Sequence, residues 1–125
     1  MLFLAKAKES LAGAESEFAN RRYNNCANRC YYPCFQASIA ALLQNDIQPK
    51  SQRRQWAHDF VQAEFNGQLI NRRKRYPASL RDVLERMFTL RQQADYQWDT
   101  ISESQAARAL RRARQFVEAI AGEGT

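Results

Sequence analysis

Residues 79–98 read SLRDVLERMFTLRQQADYQW, and the folding of this stretch decides how the rest of the chain is read. Leu80, Leu84, Met87, Ala94 and Trp98 recur at steps of three, four or seven, the spacing of one buried stripe on an α-helix. Arg91 falls inside that stripe, four residues after Met87 and three before Ala94. A guanidinium stays charged at every ordinary pH, so an inward-facing Arg91 needs a partner or water. Asp95, one turn further on, is such a partner. Ser79 with Asp82 three residues later reads as the cap of this helix.

The same period runs outward in both directions. Ahead of it, Leu4, Ala7, Leu11, Ala14 and Phe18 form the seam of an amphipathic first helix, and the polar run from Asn20 to Asn25 ends it. From about Asn24 to Gln44 apolar residues go nearly all round, which predicts a central second helix. Pro33 lies in its middle. A proline there removes an amide donor and crowds the carbonyl four residues back, at a cost of about 3 kcal/mol, so a kink is expected near Arg29 to Pro33. Residues 45–50 read as a loop, and Ser51 as the cap of a third helix bearing Trp56, Phe60, Val61 and Phe65 and ended by Gly67. A basic connection follows, containing Arg72, Arg73, Lys74 and Arg75. Beyond Trp98, Ser102 and Gln105 form a capping box for a last helix. Its stripe is Ala106, Ala109, Leu110, Ala113, Phe116, Val117 and Ile120, and Gly122 stops it. No segment shows a period of two. The expectation is an all-α bundle of four to five helices in one domain, residues 1–125, with the second helix central and kinked.

Composition narrows the function. With 45% hydrophobic and 26% charged residues the composition is that of an ordinary packed domain and not of a disordered chain. A formal charge of +6 points to a polyanionic partner, either RNA or an acidic protein. The apolar start runs into Lys6 after five residues, too short for a signal peptide, and no apolar run reaches the length of a membrane span. Three cysteines do not make a disulfide framework, so a reducing cytoplasm is the expected setting.

Cys26, Cys30 and Cys34 recur every four residues on one helix face, without a fourth ligand. They read as small buried residues, and no metal or cofactor is expected. His58, the single histidine, has no nucleophile beside it in sequence and reads as a structural or surface residue. The basic cluster at Arg72, Arg73, Lys74 and Arg75, with Tyr76 after it, suits a phosphate backbone and a stacked base. Lys50, Arg53 and Arg54, and then Arg108, Arg111, Arg112 and Arg114, form further basic groups. Asn25, Arg29, Tyr32 and Gln36 make a polar stripe on the second helix that should face a groove. If Arg29 and Arg91 converge there, they form a phosphate pocket; otherwise each belongs to its own ion pair.

The residues AGAESEFANRRY at 12–23, NRCYY at 28–32 leading to AALL at 40–43, PKS at 49–51, LRQQADY at 90–96 and ARQFVE at 113–118 are together similar to the HEPN domain family, in its small single-domain prokaryotic members. The resemblance spans nearly the whole chain in order. It implies a helical bundle that is commonly a homodimer, often encoded beside a minimal nucleotidyltransferase as toxin and antitoxin. Many such proteins are metal-independent ribonucleases that use an arginine and a histidine four to six residues apart. The arginine would stabilise phosphorane charge and the histidine would move a proton. Arg91 matches the motif arginine, but Tyr96 stands at the histidine position, and neither Gln97 nor Trp98 replaces it. Gln52, after Ser51, stands where relatives of this subgroup often carry another histidine, and Pro33 is a further departure.

Three functions follow as expectations. The first is a protein that holds RNA or a nucleotide phosphate through Arg29, Tyr32, Arg91 and the 72–75 cluster, acting with a nucleotidyltransferase antitoxin. The second is an endoribonuclease toxin in which Arg91 stabilises charge while Tyr96 or Asp95 assists. The third is a dimeric scaffold with Arg91 locked to Asp95.

Overall fold

The computed structural model describes residues 2–50, 56–96 and 100–122. Among them lie α1 (Leu2–Ala19), α2 (Tyr23–Arg29), α3 (Tyr31–Gln44), α4 (His58–Glu64), α5 (Val83–Tyr96) and α6 (Glu103–Ala121), with no strand. The protein is an all-α helical bundle. The α2–α3 rod is its axis: α1 lies along α3 and α2, α5 along α2 and α3, and α6 along α3, α1 and α2.

The core follows the periodicity closely. All seven stripe residues of α6 are buried, as are Ala7, Leu11 and Ala14 of α1, while Leu4 and Phe18 pack at its edge. Cys26, Ala27, Cys30, Cys34, Ala37 and Ala41 put small side chains on the central rod, and helices separated by small side chains pack at short interaxial distances. All three cysteines are free and buried. At the start of α6, Ser102 accepts from the Gln105 amide and Gln105 reaches back to the Ser102 amide, closing the capping box. At its end Gly122 takes the left-handed φ of 77°.

Elsewhere the boundaries differ from expectation. The second helix breaks at Cys30 into α2 and α3, where a kink was expected. Cys30 keeps right-handed dihedrals, φ −73° and ψ −21°, and its amide still reaches Cys26 O at 3.0 Å, so the rod changes pitch without reversing. Pro33 consequently falls in the first turn of α3, where a missing N–H costs least.

Gly67 does not stop the third helix. It lies inside a π-helical segment, Phe65–Arg72, that continues α4, and the chain turns away only at Lys74, φ 52°. Trp56 precedes α4, resting against Phe3 and Phe60. Ser79 is not an α-helical cap either. It sits within a 3₁₀ turn, Ala78–Leu80, and α5 starts four residues later, with Arg86 N bonded to Asp82 O. The expected roles of Ser51, Gln52, Arg53, Arg54, Gln97 and Trp98 lie outside the described residues.

Candidate functional site

The break at Cys30 sets the site. It places Tyr31 and Tyr32 at the first two positions of α3, beside α5. On α5, Leu84 and Met87 of the stripe are buried and Ala94 packs against the core, so Arg91 does arise on the inward side. Its guanidinium carbon lies 5.0 Å from the centre of the Tyr32 ring and 5.5 Å from that of Tyr31. Asp95 is its acidic neighbour, with Nε to Oδ2 at 3.9 Å, too long for a hydrogen bond, and Arg91 Nε is buried without one. The other Asp95 oxygen accepts from Asn28 Nδ2 at 2.7 Å.

Magnitudes decide which contact seats the arginine. An i,i+4 ion pair open to solvent contributes about 0.3–0.5 kcal/mol, whereas a cation on an aromatic face contributes about 0.5–2 kcal/mol. Arg91 therefore rests mainly on the two tyrosines, and Asp95 only partly neutralises it. About a third of its side chain remains exposed.

Tyr32 joins this seat to a groove between α1 and the central rod. The groove, about 530 Å³, is lined by Lys6, Ser10, Asn28, Arg29, Tyr32 and Gln36, with Glu9 and Gly13 completing the wall. Three of the four residues in the predicted polar stripe thus face one groove, while Asn25 lines a separate cleft with Arg21, Arg22 and Tyr23. Ser10 Oγ and the Gln36 amide meet at 2.7 Å across it. Arg29 turns to Glu17, 3.8 Å away, so Arg29 and Arg91 have separate acidic partners on the two sides of Tyr32.

The remaining predicted residues disperse. Tyr96, 79% exposed, is five residues beyond Arg91 on α5, about 140° round the helix from it. Asp95, at four residues, shares the Arg91 face. Arg72, Arg73, Lys74 and Arg75 are exposed at the far end of the π-helical segment, and Arg73 already donates to Asn45 O at 3.1 Å. Tyr76 is not available to stack a base. Its ring lies on Phe65, centroids 5.5 Å apart, and burial pushes its phenol up from the ordinary value.

Two further groups, neither among the expected site residues, border the seat. Asn28 orders Asp95. His58 enters from α4, its Nδ1 2.8 Å from Tyr31 Oη and its ring 4.1 Å from that of Phe88. Burial raises the Tyr31 phenol well above its ordinary value, with Arg91 acting in the opposite sense, so this hydroxyl stays protonated. Among the described residues no group of three or more His, Cys, Asp and Glu is placed to hold a metal, and no helix is long and apolar enough to cross a membrane.

The fold and this site define a small helical domain with a half-open cationic seat between its central rod and a flanking helix. Residues 1–123 match the HEPN domain, and the chain belongs to that family. A protein of Methanocaldococcus jannaschii, MJ0605, named as a toxin candidate, is 26% identical over 117 residues, which cover 91% of this chain and 80% of the relative.

Proposed function

We propose that this chain is a toxin-type HEPN protein that holds single-stranded RNA or a nucleotide phosphate at Arg91 and Tyr32, and that it works as a homodimer with a nucleotidyltransferase antitoxin. The observation that carries the reading is the seat of Arg91: a guanidinium fixed by two aromatic faces, incompletely paired and open to solvent on one side. A phosphate oxygen meeting such a group forms a charge-assisted hydrogen bond without first breaking a strong ion pair. The groove beyond Tyr32 supplies Arg29 and Lys6 for neighbouring phosphates and amide groups for a base edge. The toxin character rests on family membership and on the name of the archaeal relative. The net charge of +6 favours a polyanion.

Geometry favours binding over cleavage. Tyr96 projects away from Arg91, and Asp95 is already shared between Asn28 and Arg91. The scaffold reading requires a closed Arg91–Asp95 pair, and at 3.9 Å the pair is loose. The test is fluorescence anisotropy with a labelled single-stranded RNA, alongside a metal-free cleavage assay, on wild type and Arg91→Ala. The expected result is no cleavage by either protein and an affinity about tenfold or more weaker in the variant, the loss of one charge-assisted contact of about 1.5–3 kcal/mol. Metal-free cleavage that disappears in Arg91→Ala would establish the ribonuclease instead. A variant altered only in stability would leave the scaffold.

A further inference from the structure

The chain's single histidine lies one ring away from Arg91. His58 is the first residue of α4, yet its side chain reaches both α3 and α5. On α5 it stacks on Phe88, interplanar angle 21°, one turn before Arg91. On α3 its Nδ1 meets Tyr31 Oη at 2.8 Å, and the Tyr31 ring in turn carries the guanidinium. On its far side Nε2 lies 3.5 Å from Glu85 Oε2. The order Glu85, His58, Tyr31, Arg91 thus crosses three helices through direct contacts.

The protonation pattern follows from the partners. Burial keeps the Tyr31 phenol protonated, and with Nδ1 free of a proton Oη–H donates to it. A neutral imidazole that accepts at Nδ1 carries its proton on Nε2, and that N–H faces the Glu85 carboxylate. Packing alone does not call for this residue. A phenylalanine would also stack on Phe88, and a mostly buried imidazole incurs a desolvation cost that the Tyr31 contact offsets only in part, Nε2 being buried without a hydrogen bond. What the imidazole adds is a fixed acceptor for one hydroxyl, that of the ring beneath Arg91.

We infer that His58 is a positioning residue of the Arg91 site: by accepting the Tyr31 hydroxyl it fixes the tilt of the aromatic seat and so the direction in which the guanidinium presents its N–H groups to a phosphate. The inference rests on the proposed phosphate site. It adds that the site is assembled from three helices, with its histidine delivered by α4.

The test follows the Arg91 Nε–H resonance in ¹⁵N-labelled protein, assigned through Arg91→Lys, together with anisotropy of a labelled single-stranded RNA. His58→Phe keeps an aromatic ring and removes the acceptor. His58→Asn keeps a carbonyl oxygen near the place of Nδ1. Tyr31→Phe removes the same hydrogen bond from the other side, which covers a His58 variant that fails to fold. The expected result is a displaced Arg91 resonance and five- to tenfold weaker RNA binding in His58→Phe, the same displacement in Tyr31→Phe, and values within twofold of wild type in His58→Asn. An unmoved resonance in both His58→Phe and Tyr31→Phe would overturn the inference, as would equal losses in His58→Phe and His58→Asn. If wild type binds no RNA, the phosphate site itself fails, and the resonance comparison still decides whether His58 positions Arg91.

Discussion

At the scale of single residues, the chain shows how one side chain acquires different meanings with its surroundings. Arg91 occupies an apolar stripe position, and the fold accommodates it with aromatic faces instead of full pairing. The cysteines show the opposite outcome. Their regular spacing suggests a shared ligand set, but they are small filler inside the central rod. Burial pushes the Cys34 thiol up, and the Cys26 contact together with burial does the same for Cys30, so neither forms a thiolate in the folded chain. Cys34→Ser buries a hydroxyl in a site with no exposure and should cost about 1–3 kcal/mol in urea denaturation. An unchanged midpoint would mean that the new hydroxyl finds a partner, as Ser38 does on Cys34 O.

At the scale of elements, helix ends decide where side chains point. The closed capping box makes Ser102 a structural residue, and Ser102→Ala should lower stability by about 1 kcal/mol, read as a drop in the melting temperature. Ser79→Ala, in an exposed 3₁₀ turn, should stay within about 0.5 kcal/mol of wild type. Equal effects would contradict the assigned helix starts. The α6 stripe and its two caps were legible in the sequence because amphipathic period, Ser102/Gln105 and Gly122 all agree locally. The π-helical continuation of α4 was not. Widening the turn around Gly67 shifts the residue spacing, and that glycine does not take the left-handed conformation of a stop. Pro33 announced a disturbance in the second helix, but a proline removes one donor without dictating whether the ladder bends or breaks. Tyr31 and Tyr32 follow directly on that break, at the start of α3 and beside α5.

At the scale of the whole molecule, long-range contacts build the site, and these were the least legible. Arg91 and Asp95 could be read from helical spacing. Tyr31 and His58, 27 residues apart and joined through a hydroxyl, follow no period. The buried acids also give the molecule a direction of pH response. Tyr31, Cys30 and Cys34 titrate above their ordinary values in the folded state and outweigh Cys26, which its contact with Cys30 lowers, so above about pH 9 the unfolded chain releases protons that the native chain on balance retains. Stability is then present in full below the ordinary thiol and phenol values and is lost as pH rises through and beyond them. Urea midpoints at pH 8 and pH 10.5 should show a fall, smaller in Tyr31→Phe when each variant is compared with itself at pH 8. A midpoint that rises with pH would contradict the burial of these groups.

Of the cationic regions open to a polyanion, the seat at Arg91 and the exposed run from Arg72 to Arg75 are the two that the sequence marks for phosphate. The measurement that separates them most directly is a titration of ¹⁵N-labelled protein with a short single-stranded RNA, following every arginine Nε–H. The Arg91 resonance and the Tyr31 and Tyr32 ring signals should move first and saturate together, with Arg72, Arg73 and Arg75 responding weakly and only at low salt. Saturating shifts confined to Arg72, Arg73 and Arg75, with Arg91 unmoved, would contradict binding at the Arg91 seat.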